Sequence, residues 1–227
     1  MTPQRNLGLI LAAAGRGARF KSDLPKQFWE INGKPLYLHS LEPFLDLVVE
    51  AVIVVPAEWE SKVAAQVGSL SSRIPIQIEQ GGPTRQESVF NGLNRLTTKV
   101  EYVLVHDAAR PYVSIELVEA IVDVTMRMGA CIPVLPVRDT VKMVKEGLVV
   151  RTIDREELFL TQTPQGFESG LLRRAFEIAR REGFQGTDEA SLVESLGETV
   201  SVVEGDTGNL KVTWPEDLTA LRDGKAT

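Results

Sequence analysis

The chain has 227 residues, 43% hydrophobic and 25% charged, with 25 Lys and Arg against 31 Asp and Glu for a formal net charge of -6. That balance fits a soluble globular chain and argues against a general polyanion binder such as a DNA-binding protein. One cysteine, Cys131, rules out a disulfide framework within the monomer, and no apolar run is long enough to span a bilayer.

Leu7 to Ala12 is an apolar run that predicts a buried strand. Ala13, Ala14, Gly15 and Gly17 follow, then Arg16, Arg19, Lys21 and Lys26. A strand running into a glycine-rich cationic loop is suited to phosphate binding, because small residues let backbone N–H groups approach an anion. The ATPase and GTPase loop needs G-x-x-x-x-G-K-[ST], but the sixth position from Gly15 is Phe20. The dinucleotide fingerprint G-x-G-x-x-G fails at the same residue. What remains is G-x-G-x-R followed by Pro25-Lys26-Gln27.

Further along, Val48–Val55 predicts a strand, Ala57–Gly68 a helix and Ile74–Glu79 a weaker strand. Thr84-Arg85-Gln86-Glu87 is a capping box opening a helix through Leu96. Tyr102–Val105 has no polar alternation, so it predicts a strand buried on both faces. Ser114 is placed to cap a helix that ends at Gly129, and Ala130–Leu135 is the next strand. Repeated β-α-β units predict a Rossmann-like, mostly parallel sheet flanked by helices, with ligands beyond the carboxyl ends of its strands.

The span 137–155 breaks this rhythm. Thr140–Val144 and Leu148–Ile153 are β-rich runs joined by Lys145-Glu146-Gly147. An inserted hairpin with exposed apolar residues is marginal alone in water, which favours an arm packed on a second subunit, a homodimer, over a free flap. Helices at Gly170–Arg181 and Asp188–Leu196, a strand near Val200–Val203, the run Asn209–Val212 and a helix from Pro215 complete one domain over 1–227. Met1-Thr2-Pro3 leads straight to the first strand, with no secretory leader, and the lone Cys131 sits in an apolar run. Both point to the cytoplasm.

Two further loops carry candidate chemistry. Gly81–Ser88 exposes backbone groups at a helix N-terminus, and Ser88 is placed to bond a base. His106-Asp107-Ala108-Ala109-Arg110-Pro111 puts an acid at a strand end, suited to a divalent metal or a sugar hydroxyl. Arg110 offers a planar fork for a phosphate, and His106 reads as a positioning group rather than a general base. Thr163-Pro164-Gln165, Thr187–Ser191 and Asn209–Thr213 are weak alone and matter only if they converge on one cleft.

Taken in order, these motifs resemble the 2-C-methyl-D-erythritol 4-phosphate cytidylyltransferase family of the nonmevalonate isoprenoid pathway, from Leu9 to about Leu218. The resemblance implies transfer of a cytidylyl group from CTP to the methylerythritol phosphate, with release of pyrophosphate and a requirement for Mg2+. It implies that Arg19, Lys26 and Lys211 are catalytic, with Arg19 and Lys26 on the triphosphate. Ala13, Ala14, Gly82 and Ser88 correspond to the cytosine set, and Gly15 also falls on the nucleotide side. Asp107 and Ala108 correspond to the ribose and metal side, with Asp107 as metal ligand. Arg110, Thr163, Thr187 and Lys211 correspond to the acceptor-phosphate side, and Thr140 and Arg155 to residues delivered by the arm across a dimer interface. Pro83 stands where relatives often have Asp, and Ala18 where some carry another arginine. The nucleophile would be the acceptor's own phosphate oxygen, so the protein must hold two anions in line and stabilise the charge that builds on phosphorus. A sister enzyme making CDP-ribitol and a non-catalytic nucleotide-binding module are the alternatives; retention of Arg19, Lys26, Asp107 and Lys211 together argues against the second.

Overall fold

A computed structural model describes residues 6–15, 24–214 and 216–217. In chain order its elements begin with β1 (Leu7–Ala12), a 3-10 turn at Lys26–Phe28, the short hairpin β2 (Glu30–Ile31) and β3 (Lys34–Pro35), and α1 (Leu36–Leu41). There follow β4 (Glu50–Val55), α2 (Glu60–Gly68), β5 (Ile76–Gln80), α3 (Arg85–Arg95), β6 (Tyr102–Asp107), α4 (Ile115–Met128) and β7 (Ala130–Pro136). The remainder is β8 (Val141–Lys145), β9 (Leu148–Ile153), β10 (Phe159–Thr161), β11 (Gln165–Glu168), α5 (Ser169–Glu182), α6 (Glu189–Glu194) and β12 (Ser201–Glu204).

Among the described residues the main sheet has eight strands. β5, β4, β1 and β6 lie side by side and parallel, and β12 runs parallel to β7. β11 enters antiparallel between β6 and β7. β10 pairs antiparallel with the end of β7. Because β10 and β12 both pair with Val134, and β11 and β12 both pair with Cys131, β12 must take the opposite edge of β7. The sheet is therefore mixed at β10 and β11, two short strands that the sequence pattern does not reveal.

Burial on both faces explains the apolar runs. Every residue of β4 is buried. Leu7, Leu9 and Leu11 face a core with Tyr37, Phe44 and Ile121, while Ile10 faces the other with Val89, Leu93 and Phe176, as alternate strand residues must. Gly92 lets α3 press on that second face: a Cβ there would lie 2.8 Å from both Ile10 and Val54 side-chain carbons. α4 ends as expected at Gly129, in the left-handed conformation at φ 84°.

Several expectations need correction. Ser114 occupies the N-cap of α4 but its side chain makes no capping bond; its hydroxyl lies 3.2 Å from Asp206 Oδ2. Asn209–Val212 is a loop, as a polar cluster between regular elements should be. The start at Pro215 lies outside the described residues, although 216–217 are helical. β8 and β9 do form a separate antiparallel hairpin, turned by Glu146 (φ 51°) and Gly147 (φ 80°), the paired positive φ values of a tight hairpin turn. Most of its apolar residues are exposed, Leu148 at 73%, while Val141 and Ile153 at its base are half-buried. Among the described residues no helix is long and apolar enough to cross a membrane.

Candidate active site

The carboxyl ends of β1, β5 and β6 open onto one cleft of about 580 Å³. Its first wall is the start of the glycine loop. Ala13 N–H donates to the Val54 carbonyl at 2.8 Å. The buried Gln27 amide donates to the carbonyls of Ala13 (2.5 Å) and Gly15 (3.0 Å). Gln27 thus ties the loop to the 3-10 turn that also carries Lys26.

The second wall is the loop after β5. Gly81 N–H donates to Val55, and a Cβ on Gly81 would fall 2.3 Å from the Ala14 Cβ. Only glycine lets these two loops close on each other there. Thr84 and Glu87 form the expected capping box. Ser88 is buried; its hydroxyl donates to the Thr84 carbonyl (2.8 Å) and accepts from Gly82 N–H (3.1 Å). Ser88 therefore shapes the loop whose surface faces the cleft.

The floor is the end of β6. His106 is fully buried. Its Nε2 lies 3.1 Å from the Arg110 carbonyl, which can only accept, so Nε2 carries the proton. Nδ1 then accepts from the Thr163 hydroxyl (3.1 Å), which in turn accepts from Asp107 N–H (3.1 Å). Burial, the chief influence, lowers the His106 pKa to about 4, so the ring is neutral near pH 7. The contact of Nε2 with the Arg110 carbonyl is a backbone bond of the kind expected of it.

The lid of the cleft is the loop 205–213. Gln162 holds it through Asp206, donating to its carbonyl (2.8 Å) and accepting its N–H (3.1 Å). The Asn209 amide donates to the Thr163 carbonyl at 2.8 Å, and Val212 N–H to the Ala109 carbonyl at 2.8 Å. Lys26 Nζ donates to the Val212 carbonyl at 2.6 Å. Lys211 projects from this loop and meets Asp107 Oδ2 at 2.5 Å. The other Asp107 oxygen receives Arg85 Nε (3.3 Å) and Nη2 (3.2 Å), and Arg85 Nη1 reaches Glu189 Oε1 at 2.8 Å. Burial alone would raise the Asp107 carboxyl; the charges of Arg85 and Lys211 outweigh it and hold the group well below the usual carboxylate range. Glu189 is shifted upward by burial, with Arg85 opposing.

Of the residues singled out from sequence, Ala14, Gly15, Lys26, Gly82, Ser88, Asp107, Ala108 and Lys211 line the cleft together. Pro83, the departure at the second loop, lines it too. Ala13 and Thr163 are buried behind it. Arg110 is also buried, and its Nη1 donates to the Asn209 carbonyl at 2.7 Å; in this structure its fork holds the Lys211 loop instead of opening to a phosphate. Thr187 is exposed ahead of α6. Thr140 and Arg155 are exposed at the base of the hairpin, where Arg155 donates to the Arg138 carbonyl. None of those three lines the cleft. Arg19, with Arg16 and Lys21, lies outside the described residues. Gln27, Arg85 and Glu189 were missed as site residues. Each stood inside a quoted motif, but nothing local marks a side chain that reaches 104 residues along the chain, as Arg85 does to Glu189.

A glycine-lipped cleft with lysines at its mouth, at the carboxyl edge of a doubly wound sheet, defines a nucleotide-binding α/β protein. The family model of 2-C-methyl-D-erythritol 4-phosphate cytidylyltransferase matches residues 7–222, and the chain belongs to that family. The protein of that name from Bacillus thuringiensis is 43% identical, covering 92% of this chain and 93% of its own; that from Geobacillus kaustophilus is 41% identical, covering 94% of each. The crystal structure of the Thermus thermophilus 2-C-methyl-D-erythritol 4-phosphate cytidylyltransferase superposes with a TM-score of 0.80 at 35% identity, covering 97% of this chain and 98% of its own. That of the Francisella tularensis protein gives 0.81 at 32% identity, covering 95% and 98%.

Proposed function

We propose that the chain transfers the cytidylyl group of CTP to 2-C-methyl-D-erythritol 4-phosphate, giving 4-diphosphocytidyl-2-C-methyl-D-erythritol and pyrophosphate. The observation that carries the reading is the meeting of Gly15, Lys26, Asp107 and Lys211 in one cleft, from four separate stretches of a chain whose family bears this activity in its name.

The acceptor's phosphate oxygen attacks the α-phosphorus of CTP, forming one P–O bond as the bond to the pyrophosphate oxygen breaks. The attacking oxygen is already ionised at neutral pH, so the protein needs to supply alignment and charge rather than a nucleophile. Lys26, held at the Val212 carbonyl, and Lys211 present cations where negative charge grows; the family motif assigns Arg19 the same task. Ala13, Ala14, Gly82 and Ser88 frame the pyrimidine. Asp107 and Ala108 take the ribose side. Arg110 and Thr163 serve the acceptor side by fixing the loop that carries Lys211, and Thr187 lies on that side.

Among the described residues no group of three His, Cys, Asp or Glu gathers to cage a metal, and Asp107 is the one carboxylate on the cleft lining. That donor set suits Mg2+ in its usual form beside nucleotides, one carboxylate plus phosphate oxygens. Both Asp107 oxygens already face cations, Arg85 and Lys211, so the proposed Mg2+ would be held chiefly by phosphate oxygens with Asp107 beside it, and would neutralise charge on the triphosphate.

The exposed apolar residues of the hairpin, Leu148 and Val149 among them, support a homodimer in which 137–155 reaches a second subunit and brings Thr140 and Arg155 to its acceptor site. A single domain over 1–227 and a cytoplasmic setting, suited to the buried free Cys131, complete the proposal. A pyrophosphate-release assay tests it. CTP with 2-C-methyl-D-erythritol 4-phosphate is expected to give sustained release, and CTP with ribitol 5-phosphate little. The reverse preference would reject the acceptor, and no release with either would reject the activity.

A further inference from the structure

Arg85 is the first residue of α3, yet its guanidinium spans three elements. Nε and Nη2 both meet Asp107 Oδ1 at the end of β6, and Nη1 meets Glu189 Oε1 at the start of α6. Two carboxylates on either side of one planar fork is an arrangement that lysine cannot copy. Glu189 is 1% exposed, and its Oε2 has no hydrogen-bond partner in the structure. A carboxylate buried with a single cationic partner is costly, and an apolar side chain would serve packing better. Its presence makes sense if its work is to hold Arg85 still.

The consequence falls on Asp107. With Oδ1 taken by Arg85, Oδ2 is the oxygen turned to Lys211, 2.5 Å away. We infer that Arg85, anchored by Glu189, is a positioning residue that assigns the two Asp107 oxygens different partners and so sets the place of Lys211 in the cleft. Asp107 touches the nucleotide side, and Arg85 acts through it. This inference rests on the cytidylyl-transfer reading above. Misplacing Lys211 weakens charge stabilisation at the reacting phosphorus more than ground-state affinity, which the base and ribose contacts and Lys26 still supply. The signature is therefore a loss in kcat with CTP binding largely kept.

The test compares full-length wild type, Arg85→Met, Glu189→Gln and Glu189→Ala. It measures kcat by pyrophosphate release, CTP dissociation constants by calorimetry without added metal, and thermal midpoints. Arg85 shares the cleft lining with Asp107, and Arg85→Met is expected to lower kcat by about 10- to 100-fold, as loss of a supporting partner beside a functional carboxylate does, with the CTP dissociation constant changed by less than about threefold. Glu189→Gln keeps an acceptor for Arg85 Nη1 and is expected to hold a kcat at least about fivefold above that of Glu189→Ala. CTP affinity falling in step with kcat in Arg85→Met would overturn the inference, since Arg85 would then be a direct ligand or a structural strut. So would an unchanged kcat. If Arg85→Met does not fold, the Glu189 pair decides: equal kcat values for Gln and Ala overturn the inference. An inactive wild type would overturn the functional reading along with it, whereas an active wild type with unsplit variants would overturn the positioning role alone.

Discussion

The cleft and the hairpin use their side chains in opposite ways: one partners them within the chain and the other leaves them exposed. In the cleft, cations drawn from distant parts of the chain meet named acceptors: Lys26 at Val212, Lys211 at Asp107, Arg85 at Asp107 and Glu189. On the hairpin, Met143, Val144, Leu148, Val149 and Val150 are exposed, and the strands pair with each other in a separate sheet. One subunit therefore builds the nucleotide side of the proposed site by its own fold. The residues assigned to the acceptor's far side, Thr140 and Arg155, sit on an element that buries its apolar face only against something else.

The contrast can be broken at its strongest point first. Lys26→Ala removes a cation from the cleft and the bond to Val212, and turnover is expected to fall by about 10²–10³ while the protein stays folded, as for loss of one preorganised donor. Near-normal kcat with unchanged circular dichroism would remove Lys26 from the account.

Next comes the floor of the cleft. His106 is neutral when folded, with its pKa lowered from 6.5 to about 4 chiefly by burial. Its folded value lies below the unfolded one, so the unfolded chain binds the extra proton between those two values. This contribution to stability is complete above about pH 6.5 and fades as the pH falls toward 4, by on the order of 3 kcal/mol. Urea unfolding at stepped pH should show that slope in the wild type and a flatter one in His106→Gln; matching slopes would contradict the burial argument. Asp107, held low by Arg85 and Lys211 once burial is overcome, adds stability that is lost only below about pH 3.9, outside that window.

The arm gives the third prediction. Arg155→Ala alone should raise the KM for the acceptor by about tenfold with CTP affinity kept, the cost of one rim-side charge contact. Mixed with Lys26→Ala under subunit exchange and assayed well below the acceptor KM, where both homodimers are impaired, it should give about a quarter of wild-type kcat/KM, because random pairing in the proposed two-fold dimer leaves one intact site in half the dimers. No recovery on mixing would place Arg155 outside the partner's site. The smallest effect is local: Thr84→Ala breaks the capping box that aims the second loop, for an expected loss of about 1 kcal/mol in denaturant unfolding. A loss below a few tenths would show that loop held by Ser88 instead.

The parts of the molecule that were legible in sequence share one property: their signals are local. The apolar runs of β1, β4 and β6, the Thr84–Glu87 box, the glycine at the end of α4 and the hairpin turn each declare themselves within about ten residues. The strand β11 does not, because Gln165-Gly166-Phe167 is short and lacks alternation, and its place is set by pairing with Val103–Val105 and Ala130–Cys131. The site divides in the same way. Gly15, Lys26, Gly82 and Asp107 could be named from motifs. The tether of Gln27 to Ala13, the bridge of Arg85 to Glu189 and the redirection of Arg110 to Asn209 depend on side chains meeting across the fold. The chemistry of the Arg110 fork suggested a phosphate, and its bond to the Asn209 carbonyl is set by the fold and not by any local signal.

The most direct test of the central claim is a structure of the protein with CTP. The account predicts the base against Gly82 and Ser88 and the triphosphate between Gly15, Lys26 and Lys211. A nucleotide bound elsewhere, or one whose phosphates point away from both lysines, would contradict it.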